Sequence, residues 1–292
     1  MEQAAAHSRT DGEPKGTLYV VATPIGNLRD VTLRALEVLK QADVVAAEDT
    51  RITARLLQHY GISAKVSALH EHNETRAARP LLALLARGKS VALVSDAGTP
   101  GISDPGARLI AAARAAGHAV SPVPGCNAAI AALSVSGMPA PHFLFYGFLP
   151  ARASERRGEL EKLRAYSFTL VFYEAPHRIA ESLADMAAVL GPARSVVIAR
   201  ELTKLFETIH ACTLGEAVSW LEADARQRKG EFVLVVAGAQ AAAEGARARD
   251  TLEVLLAELP LKQAVALAAR LTGAKRNRLY ELALQMKAQA NG

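Results

Sequence analysis

The stretch VALVSDAGTPGISDPG, residues 91–106, holds the residue types best suited to cradling a small molecule. Asp96 and Asp104 supply acceptors, Gly98, Gly101 and Gly106 bare the backbone for close approach, and Pro100 and Pro105 hold the segment stiff. Its first four residues are β-compatible, whereas the glycines, prolines and aspartates after them can neither extend a strand nor start a helix before Gly106. The stretch therefore reads as a strand running into a loop. In open α/β sheets ligands sit at such carboxyl ends. A rigid structural loop shares this composition, and at this point that alternative stands.

The elements that must position the loop follow a regular rhythm. From Thr17 onward short β-type runs alternate with helical patterns, the mark of βαβ units and a parallel sheet. Strands are predicted at 18–22, 43–47, 65–69, 91–94 and 119–123. Helices are predicted at 31–41 behind an Asp30 cap, before Gly61, at 75–87, at 107–116 and at 127–135. Each strand empties into a polar or glycine-bearing segment: TPIGN at 23–27, EDTR at 48–51, HEHNE at 70–74, the 91–106 loop, and PGCN at 124–127. With parallel strands, all five converge on one edge. The first loop lacks the G-x-G-x-x-G dinucleotide fingerprint and nothing matches a P-loop, so NAD and ATP are poor candidates.

Past residues 137–141 the rhythm changes, marking a second domain. Strands are predicted at 143–148, 168–173, 195–199 and 232–237, with helices at 155–165, 178–190 and 214–222. Between Arg200 and Cys212 there is no room for a crossover helix, which implies some antiparallel pairing. The small-residue run at 238–250 reads as a linker. Beyond it, helices at 251–258, 262–271 and 275–287 turn through Gly273 in a manner resembling a helix-turn-helix, the last opening with Lys275, Arg276 and Arg278. A helical cap with a solvated basic face is an equal alternative.

Composition sets outer bounds. Half the residues are hydrophobic, no apolar run spans a bilayer, and the first fifteen residues are polar without a signal-like core, so a cytoplasmic protein without a membrane partner is expected. Cys126 and Cys212 are too few for a disulfide framework and lack metal-ligand spacing. The eight histidines form no HExxH-type cluster, and His70 and His72 flanking Glu71 read as solvated loop residues; no metal is expected. A net charge of +5 hints weakly at an acidic partner such as RNA.

Taken together, LYVVATPIGNLRDVTLRALEVLKQADVVAAEDTR, LHEHNE, VALVSDAGTPGISDPG, VPGCNAA, GFLP, FYEAPHR, ARELTKLFET and KGEFVLVV resemble the ribosomal RNA small subunit methyltransferase I family of the tetrapyrrole-methylase superfamily. The likeness runs from Thr17 to Gly238 and continues into the tail, where LPLKQAVALAARLTGAKRNRLYELAL resembles that family's helix-turn-helix extension. PGCNAA departs from it, placing Cys126 and Asn127 where relatives usually carry Pro, Ala or Ser. The resemblance implies a two-domain α/β fold of tetrapyrrole-methylase type with a helical C-terminal extension. Its divisions are a disordered tail at 1–16, domains at 17–137 and 138–238, a linker at 239–250 and an RNA-binding extension at 251–292. It further implies an S-adenosylmethionine-dependent enzyme that methylates the ribose 2′-hydroxyl of a cytidine in the decoding region of 16S rRNA, acting as a homodimer on the small ribosomal subunit with the cofactor folded between the domains. The alternatives are a precorrin-type tetrapyrrole methylase and a non-catalytic RNA-binding assembly factor on the same scaffold.

The resemblance carries the cofactor role onto Pro24, Asp96, Ala97, Gly98, Thr99, Ile102, Asn127 and Ala128, and in the second domain onto Tyr173, Glu174 and Phe232. A methyl sulfonium is already activated, so the protein must mainly align the incoming oxygen and exclude water. The acceptor hydroxyl loses a proton, and the candidate bases are Glu48, Asp49, Glu174, His177, Glu201 and Lys204, with Glu48 and Lys204 taken as catalytic. Arg51, Arg178, Arg200 and Lys204 suit phosphate oxygens, as do Lys275, Arg276 and Arg278 of the tail. Arg152, Arg156 and Arg157, and the 225–231 segment, are further places to track an RNA backbone. Aromatics make up only 5% of the chain, so shape and phosphate contacts are expected to dominate over base stacking.

Overall fold

The computed structural model describes residues 16–70, 74–139, 141–239 and 241–290, with the side chains of 241–247 and 287–290 left aside. The chain divides into two compact units, one running to Ser134 and including Arg200–Thr208, the other made of Val135–Ala199 and the chain from Ile209. The crossing falls slightly before the boundary predicted from sequence. Of the predicted tail, only Gly16 is described, and it is tied down, its N–H donating to the Leu85 carbonyl at 2.8 Å.

In the first unit, strands β1 (Thr17–Val21), β2 (Val44–Ala47), β3 (Val66–Ala68), β4 (Val91–Val94) and β5 (Ala119–Val123) form a sheet in the order β3-β2-β4-β1-β5. Every pairing is parallel, with β4 at the centre. Helices α1 (Leu33–Gln41), α2 (Thr50–His59), α3 (Glu74–Ala86), α4 (Ala107–Ala115) and α5 (Ala128–Val135) alternate with the strands. All four β4 residues are buried because helices cover both faces. Val91 and Leu93 pack with Leu81, Leu85 and Leu109, and Ala92 and Val94 with Leu39, Leu56 and Leu57. The α1 cap is Thr32, whose hydroxyl accepts from the Ala35 N–H at 3.1 Å, and not Asp30. A 3-10 turn at Leu28–Asp30, capped by Asn27, winds those residues away before the helix can begin.

The second unit holds β6 (Phe143–Phe148), β7 (Thr169–Glu174), β8 (Ser195–Arg200), β9 (Thr208–Thr213) and β10 (Phe232–Val236) in the order β6-β7-β10-β8-β9. The sheet is mixed: β6 runs parallel to β7, and β10 antiparallel to it. Helices α6 (Ala153–Leu163), α7 (Ile179–Leu190) and α8 (Leu214–Ala223) bury Leu160, Leu183, Met186 and Leu221 against Leu170, Phe172, Leu234 and Val236. Strand β9 has no clear sequence signature, its half-buried residues being an edge strand's mixture of small, polar and apolar types.

The tail folds as α9 (Ala241–Glu258), α10 (Leu261–Thr272) and α11 (Arg276–Ala290). Ala248, Leu252, Val265, Ala268, Leu279 and Ala283 form a core of their own, and Gly273 ends α10 with φ 72°. The predicted linker is therefore helical from Ala241. Its small residues are mostly alanines, the strongest helix formers, and they propagate a helix whose later turns have α10 and α11 to pack against. No helix among the described residues is long and apolar enough to cross a membrane.

Candidate active site

The loop after β4 ties together every other loop at its edge of the first sheet. Thr23, after β1, exchanges two backbone hydrogen bonds with Gly98: its N–H donates to the Gly98 carbonyl at 2.8 Å and the Gly98 N–H donates back at 3.0 Å. The Thr23 hydroxyl also donates to the Ser95 carbonyl at 3.1 Å. The Asp49 N–H, after β2, donates to Asp96 Oδ1 at 2.8 Å. The Thr99 hydroxyl donates to the Cys126 carbonyl, after β5, at 3.0 Å. Gly98 and Gly106 sit at φ 84° and 129°, where a β-carbon is strained, and on Gly106 it would also lie 2.7 Å from Leu93 Cδ2.

Glu74, at the end of HEHNE, completes the set. Buried at the start of α3, its Oε1 accepts from the N–H groups of Gly106, Arg108 and Leu109 at 3.1, 2.8 and 3.3 Å. It thereby caps α4, whose own N-cap, Gly106, has no side chain to do so. Sequence reasoning singled out the HEHNE segment and missed this residue, since its partners lie far along the chain. Glu71 and His72 lie outside the described residues, and among those described no group of His, Cys, Asp and Glu could hold a metal ion.

The edge is acidic. Burial, with the carboxylates of Glu48 and Asp96 nearby, pushes the Asp104 carboxyl up to about 6, against a lowering hydrogen bond from Ser95. Asp104 therefore belongs to a concentration of negative charge at this edge. Asp49 is the N-cap of α2, its side chain accepting from the Arg51 N–H at 2.8 Å and paired with the Arg51 guanidinium, which holds its carboxyl low. Asn127 likewise caps α5, accepting from the Ile130 N–H at 3.1 Å. Pro24, Ala97, Ile102 and Ala128 stand on the loops or helix start of this same edge. Lys204 belongs to this unit too: its ammonium pairs with Glu201 at 2.8 Å and its stem lies over Gly26, where a β-carbon would collide with Lys204 Cγ. Glu201 and Thr203 hold left-handed φ of 51° and 66°, a strained turn presenting the lysine.

In the second unit, register brings the three predicted residues together: Tyr173 and Glu174 end β7, and Phe232 pairs with Glu174 across the antiparallel ladder. Two of their side chains are already committed. The Glu174 carboxylate accepts from the Ala175 N–H at 2.8 Å, Arg178 Nε and Nη2 at 2.9 and 2.6 Å, and the Ser182 hydroxyl at 2.6 Å, which engages both of its oxygens within this unit. Phe232, only 2% exposed, packs in the helix-covered core, leaving its backbone at the edge.

A model of the tetrapyrrole (corrin/porphyrin) methylases matches residues 17–218, and one of the RsmI C-terminal HTH domain matches 241–287. The ribosomal RNA small subunit methyltransferase I of Escherichia coli O157:H7 is 53% identical over 283 residues, covering 96% of this chain and 99% of that protein. Its Pseudomonas aeruginosa namesake is 53% identical over 279 residues, 94% of this chain and 99% of that one. The chain belongs to the ribosomal RNA small subunit methyltransferase I family. Among solved structures, the methyltransferase CobJ superposes with a TM-score of 0.59 at 22% identity, covering 77% of this chain and 95% of that one. A cobalt precorrin-4 methyltransferase gives 0.57 at 19% identity, covering 75% and 94%. Those two share the fold.

Within this methyltransferase family member the candidate RNA-facing cations sort by exposure. Lys275, Arg276 and Arg278 stand exposed at the start of α11, and Arg51 is exposed beside Asp49. Arg200 is 9% exposed and braces its own strained turn, donating to the Phe206 carbonyl at 3.1 Å and the Thr208 hydroxyl at 3.2 Å. Arg156 is 1% exposed and is held by Asp185 at 2.7 Å and the Ala151 carbonyl at 3.0 Å. Arg178 is largely spent on Glu174. Arg156 is thus closed off from solvent, while the guanidinium groups of Arg178 and Arg200 are engaged by partners within the protein.

Proposed function

We propose that this chain transfers the methyl group of S-adenosylmethionine to the ribose 2′-hydroxyl of a cytidine in the decoding region of 16S rRNA, working as a cytoplasmic homodimer on the small ribosomal subunit. Family membership supports the methyltransferase activity, the donor and rRNA as acceptor. The observation that carries the site is the cross-tied loop edge, where Glu48, Asp96 and Asp104 gather negative charge around backbone that glycines lay open.

The donor set fits S-adenosylmethionine, which carries a sulfonium and an ammonium. When bound, it supplies a methyl group already activated for transfer to an oxygen. Asp96, fixed through the Asp49 N–H, is suited to accept from the ammonium, and the backbone of Ala97 and Gly98 to meet the adenosine edges. The stiff, tied loops hold these groups in place before the ligand arrives, which reduces the ordering cost of binding. Glu48 takes the hydroxyl proton as the oxygen attacks. Lys204, an ion-paired ammonium on a strained turn, donates to the acceptor nucleotide rather than acting as a base. The exposed cations of α11 hold RNA backbone: they stand at the helix end where the dipole is also positive, a placement that favours phosphate over the helix's own stability.

The precorrin-type and non-catalytic alternatives have only the shared fold behind them. The deciding experiment offers labelled S-adenosylmethionine with unmodified small subunits, naked 16S rRNA and a corrin precursor as parallel acceptors. Label in a cytidine ribose of the subunit is expected. Label in the corrin alone, or none with donor binding intact, overturns the assignment.

A further inference from the structure

We infer that Phe148 and Tyr173, at the carboxyl end of β6 and β7, form the platform on which the base of the acceptor nucleotide stacks; the inference rests on the RNA acceptor proposed above. Though aromatics are few in the chain, the second sheet concentrates them on two adjacent parallel strands and sorts them by face. Tyr146 turns inward, packing at 5.7 Å from Phe172 against the helix-covered core. A register shift between Phe145 and Gly147, with Gly147 at φ 83°, adds one residue to β6 there. Without it Phe145 and Phe148 would point to opposite faces. With it both meet Tyr173 edge-on, Phe145 at 4.9 Å and Phe148 at 5.6 Å. Bulges recur beside active sites because they re-aim a side chain in this way.

Phe148 is 51% exposed, while the next residue, Leu149, is buried, so the outward ring stands on an anchored strand end. The turn beyond it is braced as well, since buried Arg156 donates to the Ala151 carbonyl. Phe148 pairs in register with Tyr173, one residue before Glu174 and beside the β10 end at Phe232, the positions to which the family likeness carries the donor. Just past the turn, Arg152 exposes a guanidinium at the start of α6, in a solvent-exposed pair with Glu155 at 3.3 Å that a phosphate can displace. A rigid exposed ring followed by an exposed cation matches a nucleotide, base on ring and phosphate on guanidinium, better than it matches an apolar protein partner.

The test compares wild type with Phe148→Leu, Phe148→Ala and Phe148→Trp in methyl transfer to unmodified small subunits, alongside S-adenosylmethionine affinity and sedimentation. Leu keeps apolar bulk without a ring. Loss of stacking on one base is expected to lower kcat/KM about tenfold to a hundredfold in Leu and Ala. Trp should retain activity, and donor affinity and mass should stay unchanged in all three. Wild-type kcat/KM in Phe148→Leu overturns the platform. A drop in mass overturns it in favour of a contact between two copies of the chain. Failure of the wild type to label RNA removes the acceptor and the platform together, whereas a labelling wild type with an indifferent Leu variant removes the platform alone.

Discussion

The loop edge of the first sheet and the amino end of α11 differ in charge and in construction. At the sheet edge, carboxylates and backbone are locked by hydrogen bonds that reach from residue 23 to 98, 49 to 96, 74 to 106 and 99 to 126. At α11, Lys275, Arg276 and Arg278 stand in solvent at the start of a helix that packs through Leu279 and Ala283 further along. A small cation with several polar groups needs a rigid, desolvated cradle. A long polyanion is held by exposed charges that can adapt to it and exchange counterions. Substitutions should therefore damage the first region through its geometry and the second only through its charge.

The sharpest way to break this contrast is Glu74→Ala. It leaves the N–H groups of Gly106, Arg108 and Leu109 without their acceptor, and a loss of about 2–3 kcal/mol is expected in chemical denaturation, with Glu74→Gln recovering part of it. A loss under about 0.5 kcal/mol would mean that α4 is held without its cap. Asp96→Ala is expected to weaken S-adenosylmethionine binding at least tenfold in calorimetry with the fold intact, because a charge-assisted acceptor is removed; unchanged affinity removes Asp96 from the donor site.

Replacing Lys275, Arg276 and Arg278 together by Ala should leave thermal stability nearly unchanged. It should flatten the salt dependence of subunit binding by about 0.7–0.9 in log–log slope for each phosphate that is no longer neutralised. An unaltered slope would make the basic end of α11 structural. A subtler effect concerns pH. The folded Asp104 carboxyl, raised to about 6, holds its proton where the unfolded chain, with an ordinary carboxylate near 4, has released it. Its contribution to stability thus declines as pH rises from about 4 to 6, and Asp104→Asn should flatten that part of the stability–pH curve. Donor affinity in the wild type should rise across the same window, as the ionised carboxylate favours a cation. The smallest effect is expected for Arg51→Ala, an exposed ion pair whose removal should leave the thermal and chemical denaturation midpoints essentially unchanged.

Much of the fold is legible in the sequence because hydrophobic period and turn chemistry are local. The limits of β5 and β6 coincide with those predicted, and the parallel order brings the five polar segments to one edge as anticipated. Misreadings arose where neighbours decide. The small residues at 238–250 look like a linker in isolation, and β9 is a strand by virtue of its place beside β8. Among site residues the type was readable and the availability was not. Glu174, Arg178, Arg200 and Phe232 carry suitable chemistry, yet the first three are engaged by neighbours that the turns after β7 and β8 fold back onto them, and Phe232 packs in the core.

Residue types at short spacing were enough to establish the alternation of strands and helices and the glycine-bearing loop at 95–106, and the likeness of segments along the whole chain pointed to the family. The folded arrangement alone establishes that Glu74 caps α4, that Asp104 shares its field with Glu48 and Asp96, and that a bulge turns Phe148 to the side of Tyr173. Hydrogen bonds across a sheet edge, desolvation and register depend on which segments become neighbours, and no local spacing encodes that.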